Sequence, residues 1–357
     1  MTSHFLRFSV FPGRARYILS ILAALLLSGC STNPLMTPVY KVTGGVLKGY
    51  AETEATPYVL EMSDTGMACA LGESVDPLLY SFSRVVDAPN ETGSLLMLLS
   101  ANCAEQEAWE AELRYRTYEF AGAIDQAKDA RERAKRLNAL VAKRRYKAFQ
   151  RAMATYEFDP AAENAECPFL FDEYDEITFL LGLLTGMQAI VNDANSGALA
   201  GVPRDIAAQA ERAAKCVDNE KWAGLPNAIR GLVWLLLPDT RPDLSPDPWE
   251  VLENSSRLSV EKGMRASMAL EAVAAETFGR DDVLEDVLAR FVASEESFDV
   301  QEKYRLIDEI ARLVVTFASD KYWASHYGYR TPSTYFGKLS DQRDMEGVET
   351  MDLDGLL

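Results

Sequence analysis

Apolar residues recur at helical spacing along most of this chain, and no strand pattern longer than Val39–Val42 interrupts them. Prolines, glycines and Asn/Asp clusters divide the pattern into helix-length segments joined by short turns. The predicted helix over 301–319 is a clear example, with one apolar face that consists of Tyr304, Ile307, Ile310, Val314 and Phe317. The sequence therefore predicts an all-α protein of paired helices, arranged as a helical-hairpin solenoid or superhelix.

Breaks in this pattern suggest a domain division. The helical-repeat domain is expected over 43–320, in halves of about 43–237 and 249–320. A proline-rich stretch, 238–248, predicts an extended connector between the halves. After 320 we expect an aromatic segment and then a loose acidic tail within 321–357, since residues 339–357 contain six acids and one arginine.

The N-terminus has the layout of a bacterial lipoprotein signal. Three arginines precede an 11-residue apolar run, Tyr17–Leu27, which is too short to span a bilayer. The run ends in Leu27-Ser28-Gly29-Cys30, which resembles a lipobox. Residues 1–29 are predicted to be a cleaved signal peptide, Cys30 to be the lipidated first residue, and 30–42 to be a polar tether. Ser31, rather than aspartate, after that cysteine indicates sorting to the periplasmic face of the outer membrane.

The net charge of the predicted mature chain limits the kinds of partner that it can bind. Removing residues 1–29 removes three arginines and no acid, which leaves 33 basic against 54 acidic residues and a net charge of −21. Such a surface argues against binding nucleic acid, whose phosphates need cations, and against electrostatic adhesion to anionic lipid, so that the acyl chains are the expected attachment. Within this acidic chain the stretch 128–151 is conspicuously basic, and is either a solvated helix face or a docking surface for an acidic partner.

Four cysteines remain after Cys30: Cys69, Cys103, Cys167 and Cys216. In an oxidising periplasm we expect the pairs Cys69–Cys103 and Cys167–Cys216, because each would connect helices that are near in sequence. The alternative is four free, buried thiols that pack as small apolar groups. The absence of any CxxC spacing and the near absence of histidine disfavour a zinc site.

The predicted mature chain contains one histidine, His326, within an aromatic cluster. A stacked or surface role is the expectation for this side chain, since no nucleophile–base or metal-ligand spacing surrounds it. No isolated pair of acids suggests carboxylate catalysis. We therefore predict a protein that is not an enzyme and holds no cofactor or metal.

Tryptophans flank the proline-rich connector. They are either core aromatics or the walls of an apolar groove, with polar neighbours at its rim. The candidate groove residues are Trp222, Trp234 and Trp249, with Asn219, Glu220 and Lys221 at the rim.

The tetratricopeptide consensus is not met, but the helix pairs and the lipobox together resemble the T-component lipoproteins of TRAP-type transporters. The segments that carry the resemblance are Met67–Glu73, Asp175-Glu176 through Phe179–Leu183, Asp218–Trp222 with the apolar helix after it, and Pro248-Trp249. The resemblance covers about residues 45–320. It implies degenerate tetratricopeptide-like helix pairs, possible self-association, a periplasmic solute-binding protein as partner, and an apolar channel or concavity for hydrophobic small molecules.

The first functional hypothesis is accordingly a lipid-anchored periplasmic scaffold or ligand-delivery protein, an accessory of such a transporter. The alternative is an envelope-assembly or cell-wall accessory lipoprotein that binds only protein partners. A carboxylate-based glycan hydrolase is the least favoured function, because the sequence offers no spacing that predicts two facing acids.

Overall fold

The computed structural model of the chain describes residues 36–159, 161–162 and 166–340. This part of the chain is helical throughout, with no β-strand, which confirms the predicted fold class. The predicted signal peptide, Cys30 and most of the acidic tail lie outside the described residues. The helices are α1 (Thr37–Tyr50), α2 (Thr56–Leu60), α3 (Thr65–Ser81), α4 (Asn90–Phe120), α5 (Ile124–Thr155), α6 (Glu173–Ser196), α7 (Ile206–Ala214), α8 (Leu225–Leu236), α9 (Pro248–Glu261), α10 (Ala266–Thr277), α11 (Asp281–Ser294) and α12 (Arg305–Tyr327).

From α4 to α11 each helix packs against the next along the chain, most extensively α4 with α5 and α5 with α6. Two further contacts skip one helix, α4 with α6 and α8 with α10, and these four helices line the interior. The last helix, α12, packs against both α10 and α4. The stack thus returns to its beginning and encloses an interior space. The finer prediction, a tetratricopeptide-like solenoid, stays a prediction.

The contact between α12 and α4 joins distant parts of the chain. Trp109 of α4 and Phe317 of α12 stack with ring centroids 4.6 Å apart. About two turns further along each helix, Arg116 donates a hydrogen bond to Ser325 over 2.8 Å. Because α12 also contacts α10, and α8 contacts α9 and α10, the halves expected at 43–237 and 249–320 pack together across the connector.

Two element boundaries differ from the prediction. Helix α1 begins at Thr37, inside the stretch 30–42 expected to be a tether, and it includes the short strand-like pattern Val39–Val42. Pro38 favours this start, because a proline in the first turn sacrifices no helical hydrogen bond. At the other end, α12 continues to Tyr327, so the first part of the expected aromatic segment is helical.

Helix α6 is long and apolar enough to cross a membrane by length and composition, but 72% of its most apolar window is buried inside the protein. Two glycines on this helix, Gly182 and Gly186, face α5. A Cβ on Gly186 would lie 2.6 Å from Cδ2 of Phe149, so the helices can approach this closely only without a side chain there. The close packing of α6 on α5 therefore depends on these glycines, as in a core helix.

Both predicted cysteine pairs are present as disulfides. Cys69 of α3 and Cys103 of α4 have Cα atoms 5.3 Å apart, and the bond attaches α3 to the interior helix α4. Cys167 and Cys216 have Cα atoms 5.4 Å apart. This second bond ties the segment before α6 to the residues that follow α7.

The basic stretch 128–151 lies on α5. Three of its arginines form neither a solvated face nor a docking surface, because they pair with acids of neighbouring helices. Arg144 pairs with Glu73 over 2.6 Å. Arg145 and Arg151 are buried and pair with Glu105 and Asp76, respectively. These side chains attach α5 to α3 and α4, so much of the positive charge is used inside the fold.

Candidate ligand cavity

A large cavity of about 1320 Å³ occupies the space between the interior helices. Helix α4 runs along it from Thr92 to Glu112, a length of roughly 30 Å at 1.5 Å per residue. The lining is mainly apolar, because α4, α6, α10 and α12 each turn one apolar stripe towards the interior. Its large apolar residues include Leu95, Leu98, Leu99, Leu181, Leu184, Ile190, Leu232, Leu270, Val273, Ile307, Ile310, Val314 and Phe317.

Several of these side chains are only half-buried although they point inward. Leu98, Leu184, Val273, Ile310 and Val314 all line the cavity and all retain part of their exposed surface. In a close-packed core such residues would be covered by neighbours. Here they face open space, so their surfaces are available to an apolar ligand.

One wall of the cavity has a buried polar network centred on Arg145, whose side chain is 4% exposed. Its Nη2 donates to Glu105, and its Nη1 donates to Oδ1 of Asn192 over 2.7 Å. Asn192 in turn donates from Nδ2 to Oδ1 of Asn138 over 2.9 Å. The Nε–H of Arg145 has no hydrogen-bond partner among the described residues. That atom is itself buried, so this wall is a polar patch in an otherwise apolar lining and not an open donor.

Ion pairs cross the cavity at the end where α4, α10 and α12 meet. Lys321 Nζ lies 2.7 Å from Glu276 and 3.5 Å from Glu112, and Arg116 lies 2.9 Å from Glu112. Burial raises the pKa of Glu112, but the charges of Lys321 and Arg116 outweigh burial and hold its pKa below the usual range. Two cations thus balance two anions, and this end of the cavity carries no net charge.

The cavity reaches the molecular surface in two places, where residues of its lining are exposed. The first opening is bordered by α1, α2 and α3, through Leu47, Tyr50, Tyr58 and Leu78. The second lies beyond the end of α6 and beside the end of α8, through Asn195, Ala198, Arg204, Leu236 and Leu237. A chain-like molecule could enter by either opening.

Glu91, in the first turn of α4, lies within a cluster of acids close to the first opening. Burial raises its pKa, and the negative charges of Asp175, Glu52 and Asp172 raise it further, to about 7, against a small opposing effect of Lys48. Burial also raises the pKa of the neighbouring Glu52. The folded protein therefore takes up a proton at Glu91 near neutral pH.

We expect Glu91→Gln to stabilise the protein at pH 8 and to have little effect at pH 4. A carboxyl whose pKa is raised by folding favours the folded state below the unfolded pKa of 4.5, and that advantage is lost as pH rises through about 7. The gain at pH 8 should be about 1 to 2 kcal/mol, since solvent screening reduces the full linkage value of about 3 kcal/mol for a partly exposed group. Thermal unfolding at both pH values measures it.

The matched control for this prediction is Glu296→Gln, at an exposed carboxylate on the outer surface. It should change the unfolding temperature equally little at both pH values. A Glu91→Gln protein with the same pH dependence as the parent protein would show that Glu91 is ionised in the folded state.

The six residues of the expected groove do not line this cavity. Trp222 is buried, tilted against Tyr304 with centroids 5.4 Å apart, and its Nε1 donates to Glu176 over 2.6 Å. Lys221 donates to the same carboxylate over 2.9 Å. Trp222 and Lys221 thus both bind Glu176 and hold α6 in place. Neither side chain lines the cavity, so neither is placed to contact a ligand there.

The other groove candidates are dispersed. Trp234 is buried on α8, whereas Trp249 packs edge-on against Phe278 with centroids 6.1 Å apart. Asn219 accepts a hydrogen bond from the backbone N–H of Asn227 over 3.1 Å, and Glu220 lies 3.8 Å from Lys262. Of the two alternatives for the tryptophans, core aromatics or groove walls, Trp222 and Trp234 have the burial of core aromatics.

His326 is exposed and stacks on Tyr322 with ring centroids 4.0 Å apart. Its Nδ1 contacts the Tyr322 carbonyl over 2.9 Å, and the side chain lies outside the cavity lining. The stacked surface role expected for it is confirmed. Among the described residues, no group of three or more His, Cys, Asp or Glu side chains is placed to hold a metal ion.

Sequence reasoning missed the Arg145 network, although the chain contains a signal for it. Arg145 falls on the same helical stripe as Ala142, Ala148 and Phe149, at the spacing of buried positions. A charged residue on a buried stripe needs a buried partner. The position of Arg145 thus predicts an internal ion pair, but not its partner Glu105.

No family model, curated protein or solved structure matches this chain.

Proposed function

We propose that the protein is a lipid-anchored carrier or scaffold at the periplasmic face of the outer membrane, and that it binds an elongated hydrophobic molecule in its interior cavity. The cavity carries this proposal. Its volume of about 1320 Å³ exceeds the 300–1,000 Å³ typical of small-molecule pockets. Its length of roughly 30 Å along α4 suits a molecule with a long hydrocarbon chain.

The chemistry of the lining supports a ligand that is mostly apolar with one polar group. The ion pairs of Lys321 and Arg116 with Glu112 and Glu276 are mutually neutralising, so they offer no net charge to a small charged solute. The polar wall of Arg145, Glu105, Asn192 and Asn138 would suit one polar group, such as a carbonyl, ester or hydroxyl. This ligand class matches the hydrophobic cargo implied by the resemblance to TRAP T-components, which we propose as the functional context, with a periplasmic solute-binding protein as partner.

The decisive experiment is analysis of the organic extract of the purified full-length protein by mass spectrometry. We expect a hydrophobic molecule at about one per chain. Leu184→Trp combined with Val314→Trp adds two indoles to the cavity from opposite walls, and should reduce the bound molecule at least tenfold. The same residues are only half-buried, so the fold should tolerate the change.

Leu140→Trp is the matched control, because Leu140 is exposed on the outer helix α5. It should leave the bound molecule unchanged. An extract without any hydrophobic molecule, together with a protein that co-purifies in fixed ratio, would contradict cargo binding and favour the alternative of an envelope accessory that binds only proteins.

A further inference from the structure

Helix α1 presents a stripe of large apolar side chains to solvent. Val39, Val42, Val46 and Tyr50 are 51%, 68%, 66% and 61% exposed, respectively. Their spacing of three, four and four residues places them on one side of the helix. A stripe of this kind on a protein surface marks a contact with another apolar phase.

The opposite side of α1 faces the protein. A Cβ on Gly44 would lie 2.8 Å from Cδ1 of Phe82, so α1 packs closely here. Val42 and Val46 each lie two residues from Gly44, which places them roughly 160° around the helix from it. The apolar stripe therefore points away from the rest of the molecule.

The charge of this region is also unlike the rest of the chain. No acid occurs between Cys30 and Glu52, whereas Lys41 and Lys48 lie on α1. Tyr40 and Tyr50 on α1, and Tyr58 on α2, are exposed. Tyrosines beside aliphatic residues and lysines are typical of helices that lie in the interface of a bilayer.

The chain before α1 limits how far this helix can be from the predicted anchor. Six residues separate Cys30 from Thr37, and the seven Cα-to-Cα steps at 3.3 to 3.6 Å each span at most roughly 25 Å. A lipidated Cys30 would hold α1 within that distance of the bilayer. This is close enough for the stripe to reach the acyl–headgroup boundary.

The stripe is continuous with the first opening of the cavity. Tyr50 belongs to both, and Leu47, on the adjacent side of α1, lines the opening together with Tyr58 and Leu78. A helix seated in the bilayer by its stripe would therefore bring this apolar opening to the lipid surface. A hydrocarbon chain could then pass from the bilayer into the cavity with little exposure to water.

We propose that α1 is a membrane-docking helix, and that the cavity loads a lipid directly from the leaflet in which α1 is seated. The proposal rests on the proposed function, from which it takes the anchor at Cys30 and the hydrophobic cargo. It adds the source of that cargo, membrane lipid, and the side of the molecule by which it enters.

The first test measures membrane depth. The full-length lipidated protein, with Val46→Cys labelled by a nitroxide, is reconstituted into vesicles of phosphatidylethanolamine and phosphatidylglycerol. We expect position 46 to be shielded from a water-soluble relaxation agent, and the control Leu140→Cys on α5 to be freely accessible. Equal accessibility at both positions would overturn the proposal, as would dipolar broadening between labels at 46, which would show that a second copy covers the stripe.

The second test measures loading. Transfer of pyrene-labelled phosphatidylethanolamine from vesicles should be at least about tenfold slower for Val42→Asp combined with Val46→Asp, a change equal to about 1.4 kcal/mol. The substituted residues are exposed, so the fold should be unaffected, and Leu140→Asp is the control. Equal transfer rates for parent and variant would exclude loading through α1 and leave cargo binding intact.

Two further measurements test the premises, acylation of Cys30 and lipid binding in the cavity, separately from docking and loading by α1. Intact-mass analysis reports whether Cys30 carries acyl chains, and uptake of the same pyrene lipid from detergent micelles reports whether the cavity binds lipid at all. A protein without acyl chains, or without uptake from micelles, would refute the corresponding premise of the proposed function and, with it, docking and loading by α1.

Discussion

Asp308→Asn is expected to lower the free energy of unfolding by about 3 kcal/mol or more. Asp308 accepts from the backbone N–H and Nε of Arg265 over 2.9 and 3.0 Å, and from Nη2 over 2.7 Å. The Arg265 side chain is 1% exposed, so loss of the Asp308 carboxylate leaves a buried cation with only the partly exposed Glu295 as counter-ion. The asparagine NH₂ would also oppose a donor of the guanidinium. Chemical denaturation measures the loss.

Asp282→Asn is the matched control for this variant. Asp282 pairs with Arg280 over the same 2.7 Å, but both side chains are exposed. Solvent screens such an exposed pair, so its loss should be far smaller than that of the buried pair. Similar losses for the two variants would show that burial does not set the strength of the Arg265–Asp308 pair.

Removing the second disulfide should lower the free energy of unfolding by about as much as Asp308→Asn does. We expect Cys167→Ala combined with Cys216→Ala to lose about 4 kcal/mol, because the bond closes a loop of 49 residues and restricts the unfolded chain. The loss is measured by denaturation of the double variant beside the parent protein. Reductant should destabilise the parent protein further than the variant, which retains only the Cys69–Cys103 bond.

Thiol labelling of the unreduced parent protein gives an independent check of the disulfides. Intact mass should show none of the four cysteines labelled. Four labelled sulfhydryls would contradict both bonds and restore the alternative of buried free thiols.

Several features were accessible from local sequence because each depends on neighbours in the chain. The apolar face predicted over 301–319 is present on α12, where Ile307, Ile310, Val314 and Phe317 line the cavity. The helical period that predicted this face requires only that the backbone form an α-helix. The Cys69–Cys103 and Cys167–Cys216 pairs were similarly predictable, since each joins helices that are near in sequence.

Other features could not be predicted from local sequence. The tryptophans near the connector drew attention as candidate groove walls, yet Trp222 and Trp234 are buried outside the cavity lining. An aromatic residue looks the same in a sequence whether it packs in a core or lines a cavity. The raised pKa of Glu91 is equally invisible, because it depends on burial and on Asp175 and Asp172, which lie on another helix.

The sequence by itself determined the all-α fold class, most helix positions and the cysteine pairing, because helical period, turn residues and short loops act over a few tens of residues. Only the tertiary structure decided that α12 returns to α4, which brings Phe317 onto Trp109 and encloses the cavity. That contact joins residues about 200 positions apart. Its geometry follows from the summed packing angles of all the helix pairs between them, which no local pattern records.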